Sequence, residues 1–155
     1  MLQKIISGGQ TGADRAALDA ALNLNFPCGG KCPKGRAAED GPIPDRYPLI
    51  ELDSPSYPKR TRENAHDSDG TLIIYDDVLS DGTALTKTFC ENMNKPFLLI
   101  DLTRTATLNA LKISLDFISQ EKVECLNVAG PRESNSDNIY PYTYQLISQI
   151  IISLD

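Results

Sequence analysis

Gly8-Gly9-Gln10-Thr11-Gly12-Ala13-Asp14-Arg15 stands directly behind the apolar pair Ile5-Ile6. The order is a strand, a glycine turn and the start of a helix. Glycine reaches positive φ and carries no Cβ, so such a turn lets backbone N–H groups close on a ligand. The first N–H groups of the following helix have no partner within it and carry the positive end of its dipole. The chemistry implied is the holding of an anion, above all a phosphate. Gly8, Gly9, Gln10, Thr11, Gly12 and Asp14 are the candidate contacts.

Two further turns have the same character. Ser80-Asp81-Gly82-Thr83 lies between an apolar run and a helical segment, and Ala129-Gly130-Pro131-Arg132 follows the last apolar run. They add Asp81, Gly82, Thr83, Gly130, Pro131 and Arg132. A third source is cationic. Residues 31–62 carry seven Lys and Arg against five acids, although the whole chain has a net charge of −6. Lys34, Gly35 and Arg36 sit in a loop rich in Gly and Pro, and Arg60 lies on the next helical segment. Arginine grips phosphate through two parallel N–H donors. The expectation is that at least one of Lys34, Arg36 and Arg60 reaches the pocket.

These residues need elements to position them. Lys4–Ser7 reads as a strand and Ala13–Leu24 as a helix, with Ala17, Leu18, Ala21 and Leu22 at helical spacing. Residues 26–48 read as a long loop with a short strand over Cys28–Lys31, and a loop of that length in a compact domain is usually functional. Strands are predicted at Leu49–Leu52, Thr71–Tyr75, Pro96–Leu102 and Glu124–Ala129. Helices are predicted at Tyr57–His66, Thr83–Met93, Ala106–Gln120 and Asp137–Ser153. The strands are continuous apolar runs, as when both faces of a sheet are covered. The predicted fold is one doubly wound α/β domain over residues 1–155, its sheet mostly parallel and flanked by helices. All loops leaving the C-termini of parallel strands share one edge, so the three glycine turns are expected to line one pocket. Leu146, Ile147 and Ile150-Ile151-Ile152 exceed what one buried helix face needs, which leaves core packing and an oligomer face both open.

Other chemistries find no footing. The P-loop pattern, the G-x-S-x-G elbow and H-E-x-x-H are absent. The first turn lacks G-x-G-x-x-G, and no acid stands where a ribose would meet it, so NAD is not expected. The one histidine, His66, sits beside Asp67 and Asp69 and excludes a His-dependent triad. Asp76-Asp77 could meet Mg²⁺, but acids at strand ends more often cap turns, and no metal site is assigned. Cys28, Cys32, Cys90 and Cys125 lack a C-x-x-C pair and read as reduced thiols. The acidic balance excludes general nucleic-acid binding. No apolar run nears the ~18 residues of a membrane span. No leader-like segment is seen, so a cytoplasmic protein is expected.

The run Ser7–Asp19 resembles the molybdenum carrier family. So do Cys28-Gly29-Gly30, Pro33-Lys34-Gly35-Arg36, Glu39-Asp40-Gly41, Arg60-Thr61 with Asn64, Asp67–Thr71, Gly82-Thr83 with Thr86, and Asn127–Ser134. The resemblance spans nearly the whole chain. It implies a Rossmann-like fold shared with Lonely-Guy-type phosphoribohydrolases, binding of the molybdenum cofactor (molybdopterin, a phosphorylated pterin) and a homo-oligomer. The phosphoribohydrolases carry P-G-G-x-G-T-x-x-E, whose glutamate assists N-glycosidic cleavage. Here the similar turn is Asp81-Gly82-Thr83, and Thr86 stands in the glutamate's place. A threonine cannot serve as a carboxylate base. The chain is therefore expected to carry a phosphorylated pterin or nucleotide-like ligand without catalysis, and no catalytic residue is assigned. The alternatives are a phosphoribohydrolase acting on nucleoside monophosphates and a regulatory nucleotide sensor.

Overall fold

A computed structural model describes residues 1–155. Five parallel strands form the central sheet, in the order β2 (Cys28–Gly29), β1 (Lys4–Ile6), β9 (Cys125–Ala129), β7 (Gly70–Tyr75), β8 (Phe97–Asp101). The last strand in sequence is thus the middle one in space. Helices α1 (Ala13–Asn23), α4 (Thr107–Gln120) and α5 (Ile139–Ile152) cover one face, and α2 (Tyr57–Asp67) and α3 (Asp81–Asn92) cover the other. This is the doubly wound arrangement the alternation predicts. No helix is long and apolar enough to cross a membrane.

The main core lies between the sheet and the α1, α4, α5 layer. Ile5, Leu72, Ile74, Leu126 and Val128 meet Ala13, Ala17, Ala20 and Ala21 of α1 and Ile147 and Ile150 of α5 there, all buried. Alanines on the inner face let α1 lie close to the sheet and to α5. The apolar excess of α5 is spent in this core: Ile139, Leu146, Ile147, Ile150 and Ile151 are buried, and only Ile152 is exposed.

The long loop is more structured than its composition suggests. The strand expected at Cys28–Lys31 breaks at Gly30, where φ is +125°. Its first half joins the main sheet as β2. Its second half, β3 (Lys31–Cys32), pairs in parallel with β6 (Ile50–Glu51). Between them β4 (Ala37–Ala38) and β5 (Gly41–Pro42) form a small antiparallel hairpin. Leu18, Cys32, Ile43 and Tyr47 make a second, smaller core that ties this segment to α1.

Candidate functional site

The C-terminal ends of β1, β9 and β7 lie side by side, and a cavity of about 370 Å³ opens over them. Gly8, Gln10 and Asp14 reach it from the β1 turn. Asp81, Gly82 and Thr83 reach it from the start of α3, Gly130, Pro131 and Arg132 from the loop after β9, and Arg60 from α2. The three glycine turns therefore share one edge of the sheet, as the parallel topology requires.

The β1 turn is built differently from a simple anion seat. A Cβ on Gly8 would fall 2.3 Å from Arg60 Cδ, so the space this glycine leaves is taken by an arginine of the same chain. Arg60 Nη1 donates to the Gly8 carbonyl at 3.1 Å and lies 3.5 Å from Asp14 Oδ2. Asp14 is buried against this turn. Burial pushes its carboxyl up to about 6, against the opposing pull of Arg60 and of the Gln10 and Gly8 N–H groups. Of the other N–H groups of the turn, that of Gly9 donates to Ser7 Oγ at 3.4 Å and that of Thr11 to Gln10 Oε1.

Gly9, Thr11 and Gly12 stand behind the cavity wall. Gly12 has φ +81°, and a Cβ there would come 2.3 Å from the Pro131 carbonyl, so it serves the close approach of the β9 loop. Gly9 backs onto Ile43 and Leu49. The Thr11 hydroxyl donates to Glu39 and accepts from the Glu133 N–H at 3.1 Å, clasping the β4–β5 hairpin to the β9 loop. Gln10 does face the cavity. Its Oε1 accepts from the Thr11 N–H at 3.0 Å and the Glu39 N–H at 2.8 Å, while its buried Nε2 has no partner.

Two further features mark the cavity lining. Ser80 precedes α3 without a side-chain cap, and the N–H groups of Asp81 and Gly82 donate to no oxygen of the protein. Arg132 makes no ion pair. Its guanidinium lies 5.9 Å from the centre of the Tyr57 ring, with that of Arg60 at 5.4 Å from the same ring. Both contacts fall within cation–π range.

Lys34, Gly35 and Arg36 do not reach the cavity. Lys34 is exposed, and nothing approaches Gly35. Arg36 turns inward on its own loop and donates to the carbonyls of Ile43, Leu49, Pro44 and Tyr47 at 2.8 to 3.3 Å. An irregular loop has carbonyls without strand partners, and one guanidinium with five donors satisfies four of them.

Several wall residues are not among the candidate contacts read from the sequence. Thr61, Asn64, Thr86, Asn127, Ser134 and Asn135 line the cavity. Asn64 spends its amide on the Lys31 backbone, accepting from its N–H at 2.8 Å and donating to its carbonyl at 2.9 Å. Thr86 donates to the Gly82 carbonyl at 3.0 Å, so its hydroxyl points back along α3. Asp76 accepts from the Ser136 hydroxyl, Asp77 lies 3.5 Å from Arg104, and His66 is exposed beside Asp67. No three His, Cys, Asp or Glu side chains group as metal ligands.

The chain matches the circularly permutated YpsA SLOG family over residues 5–151. It belongs to that family. The chain is also similar to a protein from Syntrophus aciditrophicus SB whose crystal structure at 1.45 Å names it a putative molybdenum carrier protein. The two are 46% identical, with a TM-score of 0.95 over 97% of this chain and 95% of that one. The resemblance to molybdenum carriers and the Rossmann-like fold are thereby borne out for this SLOG-family member. No curated protein matches the chain.

Proposed function

We propose that the protein binds and carries a phosphorylated small molecule of the pterin class to which the molybdenum cofactor belongs. One ligand-binding domain over residues 1–155 does so, as a cytoplasmic homo-oligomer. The observation that carries this reading is the presence in one cavity lining of an arginine without an ion pair, Arg132, and of the two unsatisfied N–H groups at the start of α3. Together they supply charge and directed donors to one phosphate. We put the seat there, and not at the β1 turn, because the N–H groups of Gly9 and Thr11 in that turn donate to Ser7 Oγ and Gln10 Oε1, and the buried carboxyl of Asp14 stands beside those of Gly8 and Gln10. The polar lining and the volume of about 370 Å³ suit a small cofactor or nucleotide. The name of the crystallised relative points the same way.

The test is direct. Purified protein is denatured and its released small molecules are identified by mass spectrometry. Apoprotein is then titrated calorimetrically with a phosphorylated pterin and its dephosphorylated form. A phosphorylated pterin carried through purification, or an affinity that falls roughly ten- to a hundredfold on dephosphorylation, is the expected result. Equal affinity for both forms overturns the reading. Light scattering should give a mass above the 17.0 kDa of one chain.

A second reading rests on Asp14. A buried carboxyl held near 6 in the cavity wall has the character of a general acid–base group. N-glycosidic cleavage of a nucleoside monophosphate would use it to activate water. Release of free base from such substrates decides between carrier and hydrolase.

A further inference from the structure

We propose that Gln10 and Asp14 read the ring end of the ligand, and that the ring they select carries a lactam carbonyl beside a ring N–H and an exocyclic amine. Pterins and guanine share this amino-lactam edge. The inference rests on the reading of the cavity as a site for a phosphorylated ligand.

Gln10 provides the first half. Two backbone donors, the N–H groups of Thr11 and Glu39, meet Oε1 at 3.0 and 2.8 Å. They fix which end of the amide is oxygen, since a flipped amide would set N–H against N–H. The NH₂ end is therefore on the other side. It is buried, Gln10 is only 6% exposed, and Nε2 has no partner. Leaving a buried donor unsatisfied is costly, and native proteins rarely do so. Gln10 lies in the cavity wall, so a carbonyl oxygen of a bound ring would satisfy it.

Asp14 provides the second half. It lies four residues after Gln10, in the first turn of α1, and lines the same cavity. Its one ion-pair contact is Arg60 at 3.5 Å, through Oδ2. The Gly8 and Gln10 N–H groups also stand beside it, and a carboxylate accepts at about four lone pairs, so capacity remains beside these contacts. A ring N–H and an exocyclic amine present two parallel donors, the geometry a carboxylate accepts best. A second anion would be repelled at the same place. The phosphate therefore goes to the Gly82–Arg132 end, and the uncharged ring edge to the Gln10–Asp14 end. A 6-aminopurine puts an amine where Gln10 needs an acceptor, and a bare ring nitrogen where Asp14 needs a donor.

The experiment is calorimetric titration of apoprotein with a monophosphorylated pterin, GMP, IMP, AMP and ribose 5-phosphate. The wild type should bind the pterin and GMP roughly ten- to a hundredfold more tightly than AMP, with IMP between them because it lacks the exocyclic amine. Gln10→Glu keeps the oxygen that holds Thr11 and Glu39 and replaces the donor with an acceptor. It should abolish the preference for GMP over AMP while leaving ribose 5-phosphate affinity unchanged. Asp14→Asn, a second route to the same readout, should remove the gap between GMP and IMP. Equal affinity for GMP and AMP, with ribose 5-phosphate still bound, overturns this inference and spares the phosphate reading. If no phosphorylated probe binds, both fail together.

Discussion

Arg60 and Gly8 stand 52 residues apart in the chain, yet the guanidinium of one fills the space the other leaves empty, donating to its carbonyl at 3.1 Å. Arg60 thereby holds the β1 turn in place and keeps a positive charge beside buried Asp14. Arg132, which approaches the same Tyr57 ring as Arg60, has no such duty. The two arginines of the cavity should respond differently to removal.

Arg132→Ala should weaken binding of a phosphorylated pterin roughly ten- to a hundredfold, since a charge-assisted bond to phosphate contributes about 1.5–3 kcal/mol. Apoprotein melting temperature should stay within a degree or two, because Arg132 pairs with no acid of the protein. Arg60→Ala should lose affinity and also about 3 kcal/mol of stability, by leaving Asp14 buried without its partner. Denaturant titration of both variants separates the roles. Equal stability losses would show that Arg132 is structural too.

Asp14 should make stability depend on pH. Its folded value of about 6 lies above its ordinary 3.8, so the folded state holds the proton more tightly. Its contribution is fully present below about pH 4 and is lost as pH rises through about 6. At about 1.36 kcal/mol per unit, the loss is about 3 kcal/mol. Urea midpoints of wild type and Asp14→Asn between pH 3.5 and 7.5 should diverge in that window. Parallel curves would place the titration elsewhere.

The glycines of the site should not be equivalent. Gly12→Ala forces a Cβ to 2.3 Å from the Pro131 carbonyl at φ +81°, and should cost at least about 2 kcal/mol. Gly82 has open space around its would-be Cβ and lies in the first turn of α3. Gly82→Ala should leave stability unchanged or raise it by up to about 1 kcal/mol. Thermal melts of the two variants suffice, and a severe loss in Gly82→Ala would contradict the geometry.

No release of free base from a panel of nucleoside monophosphates is expected of a carrier. Thr86, in the place of the hydrolase glutamate, spends its hydroxyl on the Gly82 carbonyl. The acids able to reverse this outcome are Asp14 and Asp81, both in the cavity wall. Turnover of roughly 1–1000 s⁻¹ that vanishes in Asp14→Asn or Asp81→Ala would make the protein a hydrolase.

The sequence by itself determined the order of the elements and the edge on which the site lies. Continuous apolar runs such as Leu72-Ile73-Ile74, alternating with amphipathic segments, leave a parallel sheet as the arrangement that buries them. That sheet in turn sends the turns at Gly8, Gly82 and Gly130 to one side. Outside residues 28–42, helix and strand bounds followed within a residue or two, since periodicity and turn residues are local signals; the break at Gly30 and the β4–β5 hairpin did not. What each residue does at that edge was decided by the tertiary structure. Arg36, Arg60 and Arg132 look alike in sequence. One is consumed by the carbonyls of its own loop, one by Gly8 and Asp14, and one is left with no acid to pair. The Gly8–Gly12 turn likewise reads as an anion seat in sequence, and only the structure shows Asp14 buried beside it and the Gly9 and Thr11 N–H groups bonded to Ser7 and Gln10. A charge or a donor is defined by its partners, and partners separated by tens of residues are brought together only by packing.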